Sequence, residues 1–412
     1  MTGDPSYEEV LFYLYERLPM FSKYGKEAVK NSLDNILKLC EALGNPQDHF
    51  KSVHIAGTNG KGSTSHMLAA VCHKAGYKTG LYTSPHLVDF RERIRIAGLP
   101  VSKEWVVGFV TAHLDLIEDI EPSFFEITVA MAFQAFREAE IDIAVIETGL
   151  GGRLDSTNII TPVLSIITNI SFDHKDFLGT TLPQIAAEKA GIIKEGVPVL
   201  LGEQQAETDH VFFEAALHKH STVYHAQSLW DLVKTEQKES GTYYKAVDKA
   251  RREIYELHTD LSGSYQRHNI RTVLSAVEVL NATEGFGISI ETTINALEQV
   301  RYLTGLRGRW ERVSEQPLIV ADVAHNPAGL AEVMAQWNQT KAERKHIIVG
   351  FVKDKEVDEA LTYFPRDNHY YFCQAAIPRA LPADQLETLA IAQGLAGETF
   401  PSVKEALEAV RK

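Results

Sequence analysis

The chain has 412 residues, 44% of them apolar, and a formal charge of −14, a length that predicts two domains rather than one core. The acidic balance, with no lysine/arginine run against it, excludes nonspecific nucleic-acid or anionic-membrane binding, so anionic substrates must meet local positive sites. Cys40, Cys72 and Cys373 are far apart and in no metal-ligand spacing; with no apolar run of about 18 residues and no basic-then-apolar leader, a reduced, cytoplasmic protein is expected.

Leu33, Ile36, Leu37, Cys40 and Leu43 repeat at helical spacing, and Gly44-Asn45-Pro46 ends that helix ahead of a strand at Ser52–Ala56. There the apolar run stops at a glycine-rich turn, Gly57-Thr58-Asn59-Gly60-Lys61-Gly62, and a helical pattern runs from Ser63 to Ala75. Glycines let backbone N–H groups converge on an anion at a helix N-terminus. Lys61 supplies a mobile cation for terminal phosphates, and Ser63 or Thr64 a hydroxyl for magnesium. The spacing departs from the common Walker form, because no glycine stands five residues before Gly60 and Gly62 separates Lys61 from Ser63.

A strand at Lys78–Thr83 leads into Ser84-Pro85-His86, helices follow at 103–119 and 124–139, and a buried strand at Ile141–Ile146 delivers Glu147 at its carboxyl end. The strand Val163–Thr168 does the same for Asn169 and, a few residues on, Asp173-His174. A helix begun near Pro183 closes at Glu188-Lys189-Ala190-Gly191, and Pro198–Leu201 resumes the sheet. Ser221–Leu261 reads as an antiparallel flap on that sheet, and Gln266–Leu280 and Ile288–Val300 as helices. The boundaries expected are a first domain at 1–303, a glycine-rich connector at 304–308 and a second, Rossmann-like domain at 309–412. The second domain is predicted to begin with a strand at Leu318–Val323, then a helix after Pro327, strands at His346–Val352 and Tyr370–Gln374 with a helix near 357–363 between them, and a last helix at Val403–Arg411.

Strand-end polar groups therefore collect at one crevice: Lys61, Ser63, Ser84, Glu147, His174 and Lys189. Hydroxyl, carboxylate and imidazole together suit a hard divalent cation that bridges phosphates, although histidine is an unusual magnesium ligand. Singly, each has an ordinary role: Ser84 in a turn, Glu147 as a cap, His174 in a loop.

The motifs Ala56–Ser63, Tyr82–Leu87, Glu147–Asp155, Asp173-His174, Glu188–Gly191 and Asp322-Val323-Ala324-His325-Asn326-Pro327, in this order, resemble the folylpolyglutamate synthase/dihydrofolate synthase branch of the Mur ligase superfamily. The resemblance implies an α/β fold with a parallel-rich, P-loop central domain of the Mur-ligase type and a smaller Rossmann-like domain. It implies transfer of the ATP γ-phosphate to a pteroate or folyl carboxylate, followed by displacement of phosphate by the amine of L-glutamate. It gives ATP contacts to Thr58, Asn59, Gly60, Lys61, Gly62 and Ser63, with Asn269, Arg309 and Asp322 on the nucleoside side. Ser84 and Glu147 become ligands of a first magnesium and His174 of a second, and Lys189 a carbamylated ligand; Lys61, His174 and Lys189 carry the catalysis. Pterin contacts fall to Ser123, Phe124, Phe125, Glu126, Leu154, Asp155 and Ser156, with His325 also facing the cleft. Partners implied are small molecules acting on a monomer. The family's closing strand with its Gly-Ser turn is expected to be missing after Lys412, and Arg91-Glu92-Arg93 reads as a charged hairpin face, with contact to a polyglutamate tail as the alternative. Two other readings stay open: a different Mur-type amide ligase, for whose nucleotide-sugar domain the roughly fifty residues before the loop leave no room, and a P-loop nucleotide switch.

Overall fold

The apolar run before the glycine loop is the centre of the main sheet. In the computed structural model, which describes residues 5–19, 32–238, 241–353 and 357–411, the strand β1 (Lys51–Ala56) is buried at every position after Lys51. The sheet also contains β2 (Thr79–Tyr82), β3 (Ile94–Ile96), β4 (Leu99–Pro100), β5 (Ile143–Glu147), β6 (Leu164–Ile167), β7 (Val199–Leu201) and β8 (Val223–His225). Their spatial order is β4-β3-β2-β5-β1-β6-β7-β8. From β2 to β8 all pairings are parallel, while β3 and β4 form an antiparallel edge. Helices on both faces leave the inner strands no wet side, which is why their sequences read as continuous apolar runs. The chain starts at β1, moves out to β2, returns to β5 and then crosses to β6, so the carboxyl ends of β5, β1 and β6 open on one crevice.

The helix Lys61–Lys74 that follows the glycine loop is buried from Gly62 to Cys72, covered by the helices Gln266–Glu284 and Ile290–Leu297. A helix enclosed on all sides has no amphipathic stripe to read. The predicted helix at 103–119 divides at His113 into Lys103–Ala112 and Leu114–Ile120.

Ser221–Leu261 differs from the expected flap. β8 joins the main sheet in parallel, and β9 (Trp230–Lys238), β10 (Gly241–Asp248) and β11 (Glu253–Thr259) form an antiparallel sheet of their own. Alternation along β10 points Tyr244 and Ala246 into the core, beside Trp230 and Leu257.

Leu318–Val323 does not open a parallel unit either. β13 (Leu318–Ala321) pairs back on β12 (Glu311–Glu315) as an antiparallel hairpin. Two compact units result, the described parts of 5–321 and residues 322–411, so the stretch 304–321 lies with the first. The second unit holds a parallel sheet, β14 (His346–Val349), β15 (His369–Cys373) and β16 (Ala396–Phe400). Its helices are Pro327–Gln339, Val357–Leu361, Ala383–Ala392 and Val403–Val410. All three cysteines are buried and free of disulfides, and among the described residues no helix is long and apolar enough to cross a membrane.

Candidate active site

The glycine loop leaves β1 through Gly57 at φ 150° and enters its helix through Gly60 at φ 83°. A side chain at Gly57 would place its Cβ 1.8 Å from Thr168 Oγ1, and one at Gly60 would place it 2.3 Å from Asn269 Oδ1. The segment leaving β6 holds the turn: Thr58 N donates to Asn169 O at 2.9 Å, Asn59 N to Asn169 Oδ1 at 3.0 Å and Thr168 Oγ1 to Asn59 O at 2.6 Å. Thr58 Oγ1 both donates to Ser171 O (3.1 Å) and accepts from Ser171 N (3.0 Å). We expect Gly57→Ala to lower stability by about 3 kcal/mol or more, because overlap and φ strain act together. A thermal melt and a nucleotide titration check this; an unchanged melt would contradict it.

Two lysines converge on this loop. Lys61 Nζ donates to the carbonyls of Gly57 (2.9 Å) and Thr58 (3.2 Å). Lys189, 3% exposed, reaches the same Gly57 oxygen at 2.9 Å from the end of the helix Leu182–Ala190. Burial, and then the charge of Lys61, pushes the Lys189 ammonium down to about 7, against the opposite pull of Asp173 and Asp155. Glu188 does not pair with it; that carboxylate takes Arg153 Nη2 at 2.8 Å instead.

Glu147 ends β5 4% exposed and accepts Ser84 N at 3.1 Å. Burial raises its pKa, while Lys61, the Ser84 amide, Arg309 and Arg93 favour the anion. A Cβ built on Gly62 would lie 3.3 Å from Arg309 Nη2 and 3.6 Å from Glu147 Oε1, so guanidinium and carboxylate flank the first turn of the loop helix together. A buried carboxylate with a single hydrogen bond among the described residues, a serine at its side and a lysine pushed down to about 7 fit an oxygen-ligated cation. His174 begins the short helix Lys175–Leu178 at φ 50°, its N–H donating to Asp173 Oδ1 at 2.9 Å.

The residues expected to touch a pterin divide into two kinds. Ser123 and Glu126 cap the helix Phe124–Glu138 reciprocally, Ser123 N to Glu126 Oε2 at 2.6 Å and Glu126 N to Ser123 Oγ at 3.2 Å. Asp155 accepts Leu150 N on one oxygen (2.8 Å) and Thr157 N on the other (3.0 Å). Thr157 Oγ1 meets His54 Nε2 at 2.8 Å, a polar thread that ties this loop to β1. Ser156 is buried and Leu154 half-buried beside it. Phe124 packs in the core against Tyr15 and Phe90, whereas half-buried Phe125 lies on the backbone of Gly149, whose Cβ would come within 2.5 Å of its ring.

Comparison with known proteins places this geometry. Residues 55–279 match the Mur ligase middle domain and 308–412 the Mur ligase glutamate ligase domain. The chain belongs to the Mur ligase family. Within it, this Mur ligase is 34% identical over 394 residues to the dihydrofolate synthase/folylpolyglutamate synthase of Bacillus subtilis, covering 92% of this chain and 88% of that one. E. coli FolC in complex with DHPP and ADP superposes with a TM-score of 0.85 at 26% identity, over 99% of this chain and 92% of that one. The folylpolyglutamate synthase of Mycobacterium tuberculosis complexed with ADP gives 0.87 at 28% identity, over 98% and 90%. The chain is thus an ATP-dependent ligase of the folylpolyglutamate/dihydrofolate synthase branch.

Sequence reasoning named Asn169 and Asn269 but missed Gln266 and Glu203, which hold them at this ligase's loop. Gln266 is fully buried and donates to Ser63 Oγ at 3.2 Å; its Oε1 accepts Asn269 Nδ2 at 2.8 Å. Asn269 therefore stands with its Oδ1 against Gly60. Asn169 bridges the loop to Glu203 through Nδ2 at 3.1 Å. Their one sequence signal is position, since each follows or faces a strand end. Asp322 and His325 belong to the second unit, where Asp322 Oδ1 accepts Ala324 N at 2.8 Å and His325 Nδ1 lies 2.9 Å from Val323 O.

Proposed function

We propose that this ligase adds L-glutamate to a pterin or folate acid, dihydropteroate or a reduced folate, through an acyl phosphate. A carboxylate oxygen attacks the γ-phosphorus of ATP and ADP leaves; the glutamate amine then attacks the acyl carbon, phosphate departs and the amine proton goes to solvent. A carboxylate is a poor electrophile at neutral pH, and the mixed anhydride supplies the leaving group that it lacks. The observation that carries the reading is the meeting of two lysines, a buried glutamate and an arginine at the first turn of a glycine-loop helix. Backbone N–H groups and Lys61 hold the phosphates, and Arg309 offsets charge beside Glu147.

Ser84, Glu147, His174 and Lys189 are the residues that would hold magnesium, which when bound neutralises charge on the transferring phosphoryl group. A Lys189 amine that is partly neutral near pH 7 can attack carbon dioxide, lose a proton and become a carbamate, which turns a cation into an anionic oxygen ligand. By the family resemblance the nucleotide also meets Asn269, and the acid meets Phe125. Free, buried cysteines and an acidic chain support a cytoplasmic monomer working on small molecules, without nucleic acid or membrane.

Phosphate release tests the reading. It is expected only when L-glutamate and a pterin acid are present together, and comparing dihydropteroate with tetrahydrofolate as acceptor identifies the acid. Hydrolysis indifferent to glutamate would support a nucleotide switch instead.

A further inference from the structure

The face read as a charged hairpin hides a buried cation. Arg93 ends the turn Phe90–Arg93 7% exposed. Its Nε donates to His86 Nδ1 at 2.9 Å, and since a guanidinium N–H can only donate, Nδ1 is the unprotonated nitrogen of that ring. The guanidinium carbon lies 5.2 Å from the centre of the Phe124 ring. Tyr82, whose hydroxyl bonds Thr128 Oγ1 at 2.9 Å and also lies within hydrogen-bonding reach of the guanidinium, Tyr15 and Glu147 are its other electrostatic neighbours. Among the described residues no carboxylate stands within ion-pair distance of Arg93, and its Nη atoms are not among the sealed, partnerless polar atoms. A cation taken out of water without a counter-anion is destabilising, so its retention points to an anion that arrives from outside.

The position narrows the anion. Arg93 O accepts Thr83 N at 3.1 Å, which fixes it to the end of β2, next to Ser84 and hence to Glu147. Glu147 feels Lys61 and Arg309 as well as Arg93, and Arg93 itself lies against the Phe124 ring. Its surroundings are aromatic. We propose that Arg93 binds the reactive carboxylate of the acid substrate through its Nη atoms and holds it beside the phosphate loop, while His86 fixes the guanidinium through Nε. This rests on the folate-ligase reading above. Paired N–H donors match the two carboxylate oxygens and aim one of them, which is what attack on phosphorus requires.

The test compares dihydropteroate and tetrahydrofolate with their carboxamide analogues, titrated calorimetrically into the full chain with a non-hydrolysable ATP analogue present. Wild type should bind the acids about 10- to 100-fold more tightly than the amides. Arg93→Gln should erase that difference and leave the affinity for the ATP analogue within about twofold; Arg93→Lys should restore part of it and serves also if the glutamine variant does not fold. Equal weakening of acid and amide, or no weakening of either, overturns the proposal. A wild type that adds glutamate to neither acid overturns the folate reading itself.

Discussion

Replacing Lys61 with alanine is expected to lower acyl-phosphate formation about a thousandfold or more, since it removes a positioned cation from a developing phosphoryl charge. Its ammonium rests on two carbonyls of its own loop, a position that it can exchange for phosphate oxygens when a triphosphate enters. Lys189 keeps its own bond to the Gly57 carbonyl, so the fold should survive with a melt within a few degrees of wild type. Trapping the acyl phosphate with hydroxylamine, without glutamate, isolates the step. Undiminished hydroxamate in the variant would remove Lys61 from the chemistry.

The second large effect is expected at Lys189. Lys189→Ala should reduce ligation on the order of a hundredfold, and formate or acetate should partly restore it by supplying the oxygen ligand that the carbamate provides. A correctly folded variant without rescue would argue against carbamylation. The side chain also makes a separate, sign-determined prediction. Its folded pKa of about 7 lies below the ordinary lysine value of 10.5, so between those two values the unfolded chain binds more protons and stability must rise with pH. The contribution is complete above the unfolded value and is lost as pH falls through the folded one. In carbon-dioxide-free buffer the melting temperature of Lys189→Met should lack this component, which differential scanning calorimetry across that window measures.

Much of this site was legible because buried parallel strands announce themselves as apolar runs and then stop at the residue that bears the chemistry. β5 yielding to Glu147 and β1 yielding to Gly57 are of this kind. The burial of Arg93 was not legible, because Arg-Ile-Arg-Ile over 93–96 alternates charge with apolarity just as a half-wet strand does. Only the packing of Phe90 and Ile94 draws Arg93 inward, while Arg91 stays paired with Asp89 at 2.7 Å. Ser123 and Glu126 carry the spacing of a capping box, and that local signal describes the hydrogen bonds they make. In the second unit β16 went unread: Ala-Gly-Glu-Thr-Phe lies beside β15 alone, half-exposed, and so has no apolar run. β13 shows the opposite error, an apolar tetrapeptide whose partner is the preceding strand rather than a later one. Periodicity reports burial, not which strand lies alongside.

The strand order of the large sheet has a mechanical consequence. Its chemistry-bearing strands are innermost, and the rims are short, β4 with two residues and β8 with three. Fraying therefore begins far from the reaction, and an opening that reaches the phosphates must first unzip several rows of backbone pairs. Rims of this kind can drift in sequence or lengthen without the centre registering it, which lets one catalytic frame persist beneath a changing outline.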